Sequence, residues 1–344
     1  MRREGVGCGL SHARSIWVAS AILSLNAATL VAVPRYALGE PAIGQFELKG
    51  LEAEPGEVEF QSQNAWSFGQ PRRRFVEEQP GQFIYDDNSA TRQRHALEVE
   101  MSLTHFLRMR VGIEFEKERF GEPTSPGLAN AFDDLKLTEV AVEGVVILKP
   151  VPETGGIGFG LLTEFEHPTS QGELNTILMG AIVGGKVGKF SALLNLAAIK
   201  HFGSGDITDD GLERDDKWDI GYAIQLKYDL SSAWALTLEG YGTFDRVGNS
   251  GRPSEGALLF GDHDQHRAGP VVYYEWRPGG SGSGPGRSRL SKVANVDDEK
   301  AGGGDKDDKD DEEGVLMRLG TGVLFGLNDN TPHTTLKLSL EMEY

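Results

Sequence analysis

Cysteine is almost absent. Cys8 is the chain's single thiol, so neither a disulfide framework nor a cysteine-based metal site can be built from it. Past residue 33 no long apolar run recurs, which removes a second helical membrane span. Positive charge is in deficit, with 34 Lys+Arg against 52 Asp+Glu in 344 residues, and a nucleic-acid partner is thereby disfavoured. Glycine, by contrast, is abundant at 45 residues. The hydrophobic fraction of 39% would suit a soluble protein but does not exclude a membrane barrel, whose strands show lipid only every second residue.

The first segment reads as an export signal. Arg2, Arg3 and Arg14 precede the apolar run at 16–33, Pro34 breaks it, and "ALG" at 37–39 places small residues before Glu40. Residues 1–39 are therefore expected to be a cleaved signal peptide that carries Cys8 away. The alternative, a retained membrane helix, is weakened by Ser20, Ser24, Asn26 and Thr29. Residues 40–55 would follow as an N-terminal periplasmic segment.

What fills the rest is alternation. In "FLRMRVGIEFEKE", residues 106–118, Leu107, Met109, Val111, Ile113 and Phe115 share one face, and Arg108, Arg110, Glu114, Glu116 and Glu118 the other. "WDIGYAIQLKYDL", "AWALTLEGYGTF" and the terminal "HTTLKLSLEMEY" repeat the pattern. About twelve such segments begin near Gly56, Arg94, Phe106, Leu135, Gly156, Leu174, Lys189, Lys217, Ala233, Arg267, Gly314 and Thr334. Those near Leu174 and Lys189 alternate least cleanly. Each has the length of a tilted strand crossing a bilayer, and no helix-length segment separates them.

The connectors alternate as well. "LTHF", "GGKVGK" and "DLSSAW" are short, whereas "GQPRRRFVEEQPGQFIYDDNSATRQ" and "GSGDITDDGLERDD" are long and polar. Short turns at one end and long loops at the other mark an outer-membrane barrel. The expected fold is all-β, a transmembrane antiparallel β-barrel of about twelve strands over residues 56–344. Its apolar rows face lipid, and its last strand closes on its first. Tyr228, Trp234, Trp276 and Tyr344 would form one aromatic girdle, and Trp66, Phe68 and Trp218 the other.

By the same alternation Arg108, Arg110, Glu114, Glu116, Glu139, Glu143, Glu239, Arg318, Lys337 and Glu341 are expected to face the lumen. Carboxylates exceed cations there, which favours cation passage, although paired Arg and Glu can instead make a neutral plug. Arg72, Arg73 and Arg74 follow the outer aromatic positions and are candidates to contact lipopolysaccharide phosphate. Residues 278–314 are rich in Gly, Ser and Asp, with little apolar content to bury, and are read as a disordered acidic insert. "DKDDKDDEE" within it lacks the glycine placement of a calcium loop. If twelve strands start and finish in the periplasm, that insert is periplasmic.

No catalytic, cofactor or metal site is assigned. His201 with Ser204, and His167 with Ser170, offer the hydroxyl and imidazole of a hydrolase, but both lie at strand-to-loop boundaries where these residues are common. His263 and His266 are closely spaced without a further ligand in view.

"GVLFGLNDNTPHTTLKLSLEMEY" resembles the C-terminal hairpin of the bacterial outer-membrane proteins grouped as putative meta-pathway phenol-degradation proteins. "DLSSAWALTLEGYG" resembles their strand-turn-strand, and "EVEFQSQNAWSFG" the first strand of their uncharacterised alphaproteobacterial relatives. The resemblance implies an outer-membrane barrel associated with passage of small aromatic or hydrophobic compounds. The ending "LSLEMEY" is similar to the signal read by the outer-membrane assembly machinery, which makes Tyr344 an assembly residue. The expected function is a channel or transporter for small solutes, monomeric or weakly oligomeric. A non-conducting structural or surface-interaction barrel is the alternative. Lipid, lipopolysaccharide and the assembly machinery are the expected partners.

Overall fold

A computed structural model describes residues 48–71, 74–79, 82–86, 89–120, 134–169, 174–203, 217–245, 247, 264–278, 315–329 and 331–344. The expected signal peptide, Arg72, Arg73, Ser170, Ser204, His263 and residues 279–314 lie outside them.

The alternating segments become strands: β1 (Val58–Pro71), β4 (Ser89–Thr104), β5 (Leu107–Phe120), β6 (Lys136–Lys149), β7 (Gly156–Pro168), β8 (Asn175–Val187), β9 (Phe190–Phe202), β10 (Lys217–Asp229), β11 (Trp234–Phe244), β12 (Gln265–Trp276), β13 (Leu316–Gly326) and β14 (Thr334–Glu343). They form one closed twelve-strand barrel in which every neighbour is antiparallel. Each begins within a few residues of the place where alternation puts it. The first long loop held a surprise. Two further strands, β2 (Arg74–Gln79) and β3 (Gln82–Asp86), pair there as a separate hairpin.

Closure explains the final aromatic. β1 lies between β4 and β14, with Glu59 opposite both Glu100 and Glu343. Beyond the last strand residue the seam continues: the Tyr344 N–H donates to the Val58 carbonyl at 2.9 Å, and the Val58 N–H donates back at 3.3 Å. The Tyr344 ring meets Phe60 edge-on at 5.8 Å. No unpaired strand edge is left at this seam to face lipid.

The outer surface is apolar. Val99, Met109, Val111, Leu161, Met179 and Leu238 all project outward and are exposed. Aromatic pairs stand at the terminal end, where β1 begins and Tyr344 lies: Phe190 with Tyr228 and Trp234 with Tyr274, both at 4.6 Å. At the opposite end Trp66 meets His95 at 6.0 Å, and Lys200 lies 5.5 Å over the Trp218 ring. Among the described residues no helix is long and apolar enough to cross a membrane; the strands do so.

Candidate functional site

Since the exterior is a lipid-facing belt, the chemistry of the molecule lies in the bore. One half of its wall, on β4 to β7, is a network of ion pairs centred on Arg110. The guanidinium bonds Glu98, and also Glu143 at 3.1 Å and Glu164 at 2.7 Å. Strand register produces this, because Arg110 stands opposite Glu100 on β4 and Glu143 on β6, and Glu143 opposite Glu164 on β7. Next to it Arg108 pairs with Glu100 at 3.0 Å, and Arg94 spans Glu114 and Glu116 at 2.8 Å each.

A second network crosses from β14 to β11. Lys337 Nζ donates to Glu239 at 2.8 Å and to the Tyr241 hydroxyl at 2.9 Å. Tyr241 and Tyr273 hydroxyls donate to the two Glu239 oxygens at 2.6 and 2.7 Å. Glu239 is fully buried, and a buried carboxylate is tolerated when its oxygens are bonded and a cation sits beside it. Arg318 joins Glu275 and Glu341 nearer the terminal end.

The residues expected in the lumen on alternation alone therefore fall as follows. Arg108, Arg110, Glu114, Glu116, Glu143, Glu239 and Lys337 are buried. Glu139, Arg318 and Glu341 are half-buried, with Glu139 lining a small recess beside Arg110 and Glu164. Most of these charges are brought together in pairs. Of the three arginines considered for lipopolysaccharide, Arg74 opens β2, and the other two lie outside the described residues.

Two features escaped alternation. On β6 to β9 part of the inward face turns apolar in one cluster, which begins at Leu178 and Ile199 nearer the opposite end and continues through Leu162, Ile182, Val145 and Ile147 to the terminal end. The segment ahead of β1 enters there. Residues 48–55, assigned from sequence to a periplasmic segment, run into the bore from that end, and Leu51 is 2% exposed within the cluster. The Asn195 amide holds the segment at two points, accepting from the Lys49 N–H at 2.7 Å and donating to the Lys49 carbonyl at 3.0 Å. Arg108 donates to the Gly50 carbonyl at 3.0 Å, and Lys49 Nζ lies 3.3 Å from Glu143. Leu48 packs at the opposite side, against the cluster of Ala65, Ala223, Tyr241, Val271 and Leu324. The segment thus spans the passage. Apolar residues on both faces of "NTILMGAIVGG" were the available signal, and they are why β8 and β9 alternate poorly.

The histidines find partners in the wall. His201 contacts Thr176 Oγ1 through Nδ1 at 3.2 Å and Asp219 through Nε2 at 2.9 Å. Hydroxyl, imidazole and carboxylate stand in the order of a hydrolytic triad. Yet Thr176, His201 and Lys217 face one another in continuous ladder, which commits backbone N–H groups that an oxyanion would need. His167 bonds Asn175 at 2.6 Å, and His266 bonds the Tyr222 hydroxyl at 3.1 Å. Among the described residues no group of three or more His, Cys, Asp or Glu is arranged to hold a metal ion.

No family profile and no curated protein matches the sequence. Solved structures do match in shape. The COG4313 outer membrane channel from Pseudomonas putida F1 aligns with a TM-score of 0.50 at 12% identity, over 88% of this chain and 99% of that one. The transport unit of the autotransporter AIDA-I from Escherichia coli aligns at 0.43 and 12% identity, over 88% and 94%. A Pseudomonas aeruginosa FadL homologue aligns at 0.33 and 7% identity, over 84% and 90%. At such identities the likeness is one of fold: this chain is a porin-like β-barrel of the bacterial outer membrane.

Proposed function

We propose that the barrel is a channel or transporter for small solutes, hydrophobic or aromatic compounds among them. The observation that carries this reading is the mixed wall of the bore. A passage serving ions alone has no use for an apolar inner face, since inward residues meeting water are ordinarily polar. Here the face made by Val145, Ile147, Leu162 and Ile182 stands beside a belt in which carboxylates are engaged by arginine. An apolar solute gains from the first and is not repelled by the second. The likeness of the terminal hairpin to the putative meta-pathway phenol-degradation proteins supports the same solute class, and the Pseudomonas putida match, an outer membrane channel, supports the channel role.

A non-conducting structural barrel is favoured by one observation, the seating of residues 48–54 across the bore. Two measurements separate the readings. Purified protein in planar bilayers should give discrete single-channel openings. Cells expressing it, with an intact lipopolysaccharide leaflet, should take up labelled toluene faster than cells without it. Silence in both assays would leave the structural reading standing.

A further inference from the structure

We propose that the seat of Leu51 is a binding subsite for a small apolar solute, of about the bulk of toluene, and that residues 48–54 occupy it as an internal competitor. The inference rests on the channel reading above and names where on the wall the solute is held.

The wall is shaped around this occupant by absent side chains. Gly160 on β7 and Gly184 on β8 form the floor, and a Cβ built at Gly160 would lie 2.6 Å from Leu51 Cδ2. One built at Gly184 would lie 3.1 Å from Leu51 Cδ1. Both distances are too short for ordinary contact, so two glycines set the depth of the seat. Its sides are Val145, Ile147, Leu162 and Ile182, with Val151 and Leu193 packed alongside. A charged or strongly polar solute finds no partner there, whereas a branched aliphatic end or a single ring does.

The occupant is held by attachments that the wall can lose. Residues 48–54 join no strand ladder. Glu143 keeps Arg110 when Lys49 departs, and Arg108 keeps Glu100 when the Gly50 carbonyl departs. Asn195 alone gives up both of its bonds to the segment, and its amide then faces the passage, where water can replace them. Departure of the segment removes one cation, Lys49, from beside Glu143, which keeps its share of Arg110. A solute that fills the seat substitutes for Leu51, and binding and opening become one event.

The test uses the full chain with Cys8→Ser and Ala53→Cys, reconstituted in lipid nanodiscs, and reads the rate of maleimide labelling. Toluene should raise that rate saturably, by about tenfold, whereas benzoate should not. A control cysteine at Ser231, in the β10–β11 turn, should be unaffected by either. Gly160→Ala makes the seat too shallow, so labelling should be fast without solute and toluene should add little. Leu51→Asn should do the same with the wall untouched, which covers a failure of the glycine variant to fold. Labelling that ignores toluene, or native-rate labelling in Leu51→Asn, overturns the subsite. If whole cells still take up toluene in that case, the channel reading survives. If labelling responds as expected but neither conductance nor uptake is seen, the subsite stands and the channel reading falls.

Discussion

Arg110 shows what one residue contributes when three carboxylates converge on it. Its guanidinium offers donors in a fixed fork and so serves Glu98, Glu143 and Glu164 at once. Arg110→Ala would leave those carboxylates crowded and under-compensated, a loss of about 3–5 kcal/mol for a buried pair that loses one partner. We expect a lower urea midpoint for unfolding from lipid vesicles. Arg110→Lys should recover only part of the difference, because a single ammonium cannot reach all three groups. Replacing Arg72, Arg73 and Arg74 together with Gln should lower the lipopolysaccharide that co-purifies, and unchanged lipid content would reject that role. At this scale the sequence was partly legible. The inward direction of Arg110, Glu143 and Glu239 follows from period two, since each sits among outward apolar neighbours. Their choice of partners does not, because pairing depends on register between strands far apart in the chain. Leu51 was illegible altogether: "LKGLEAE" has no period, and nothing local marks its leucine as buried.

At the scale of elements, β5 and β8 make the instructive contrast. β5 alternates apolar with charged residues because one face meets lipid and the other meets the ion-pair belt. β8 is apolar on both faces because its inner side packs against the entering segment, and its period fades for that reason. The β2–β3 hairpin was missed on other grounds: "RFVEEQ" and "QFIYD" are shorter than a membrane strand and are flanked by loop-like residues. Strand order also bears on the acidic insert. β12 ends at Trp276, which pairs with Met317 at the start of β13, and Met317 pairs with Met342 close to the C-terminus. The connection between them therefore leaves the barrel at the end that holds Tyr344. With the short turns at that same end taken as periplasmic, an epitope tag within "AGGGDKD" should be invisible on intact cells and appear after permeabilisation. Labelling of intact cells would reverse the barrel's assigned orientation.

For the whole molecule, charge sets the expected ion preference. The chain carries a formal net charge of −18, and much of what faces the bore is acid that arginine and lysine only partly offset. Lys337 balances Glu239, whereas Arg110 alone faces three carboxylates, so selectivity should be cationic. In a salt gradient the reversal potential should shift towards that of the cation. Glu239→Gln leaves the Lys337 ammonium without its carboxylate and should weaken the cation preference. An anion-selective reversal potential would contradict the reading.

The seam between the first and last strands also imposes an order in time. Asn64 on β1 donates to the carbonyl of Leu338 on β14 across 274 residues of chain, and contacts so remote form late. Synthesis finishes β14 last, so the cylinder stays open on one side until the whole polypeptide has been delivered. Residues 48–54 precede β1 and span the passage on which that seam closes. They can be enclosed sideways while the gap persists, without threading lengthwise through a finished tube. The segment that obstructs the mature passage is on this view a template for its closure, laid across the sheet before the walls meet.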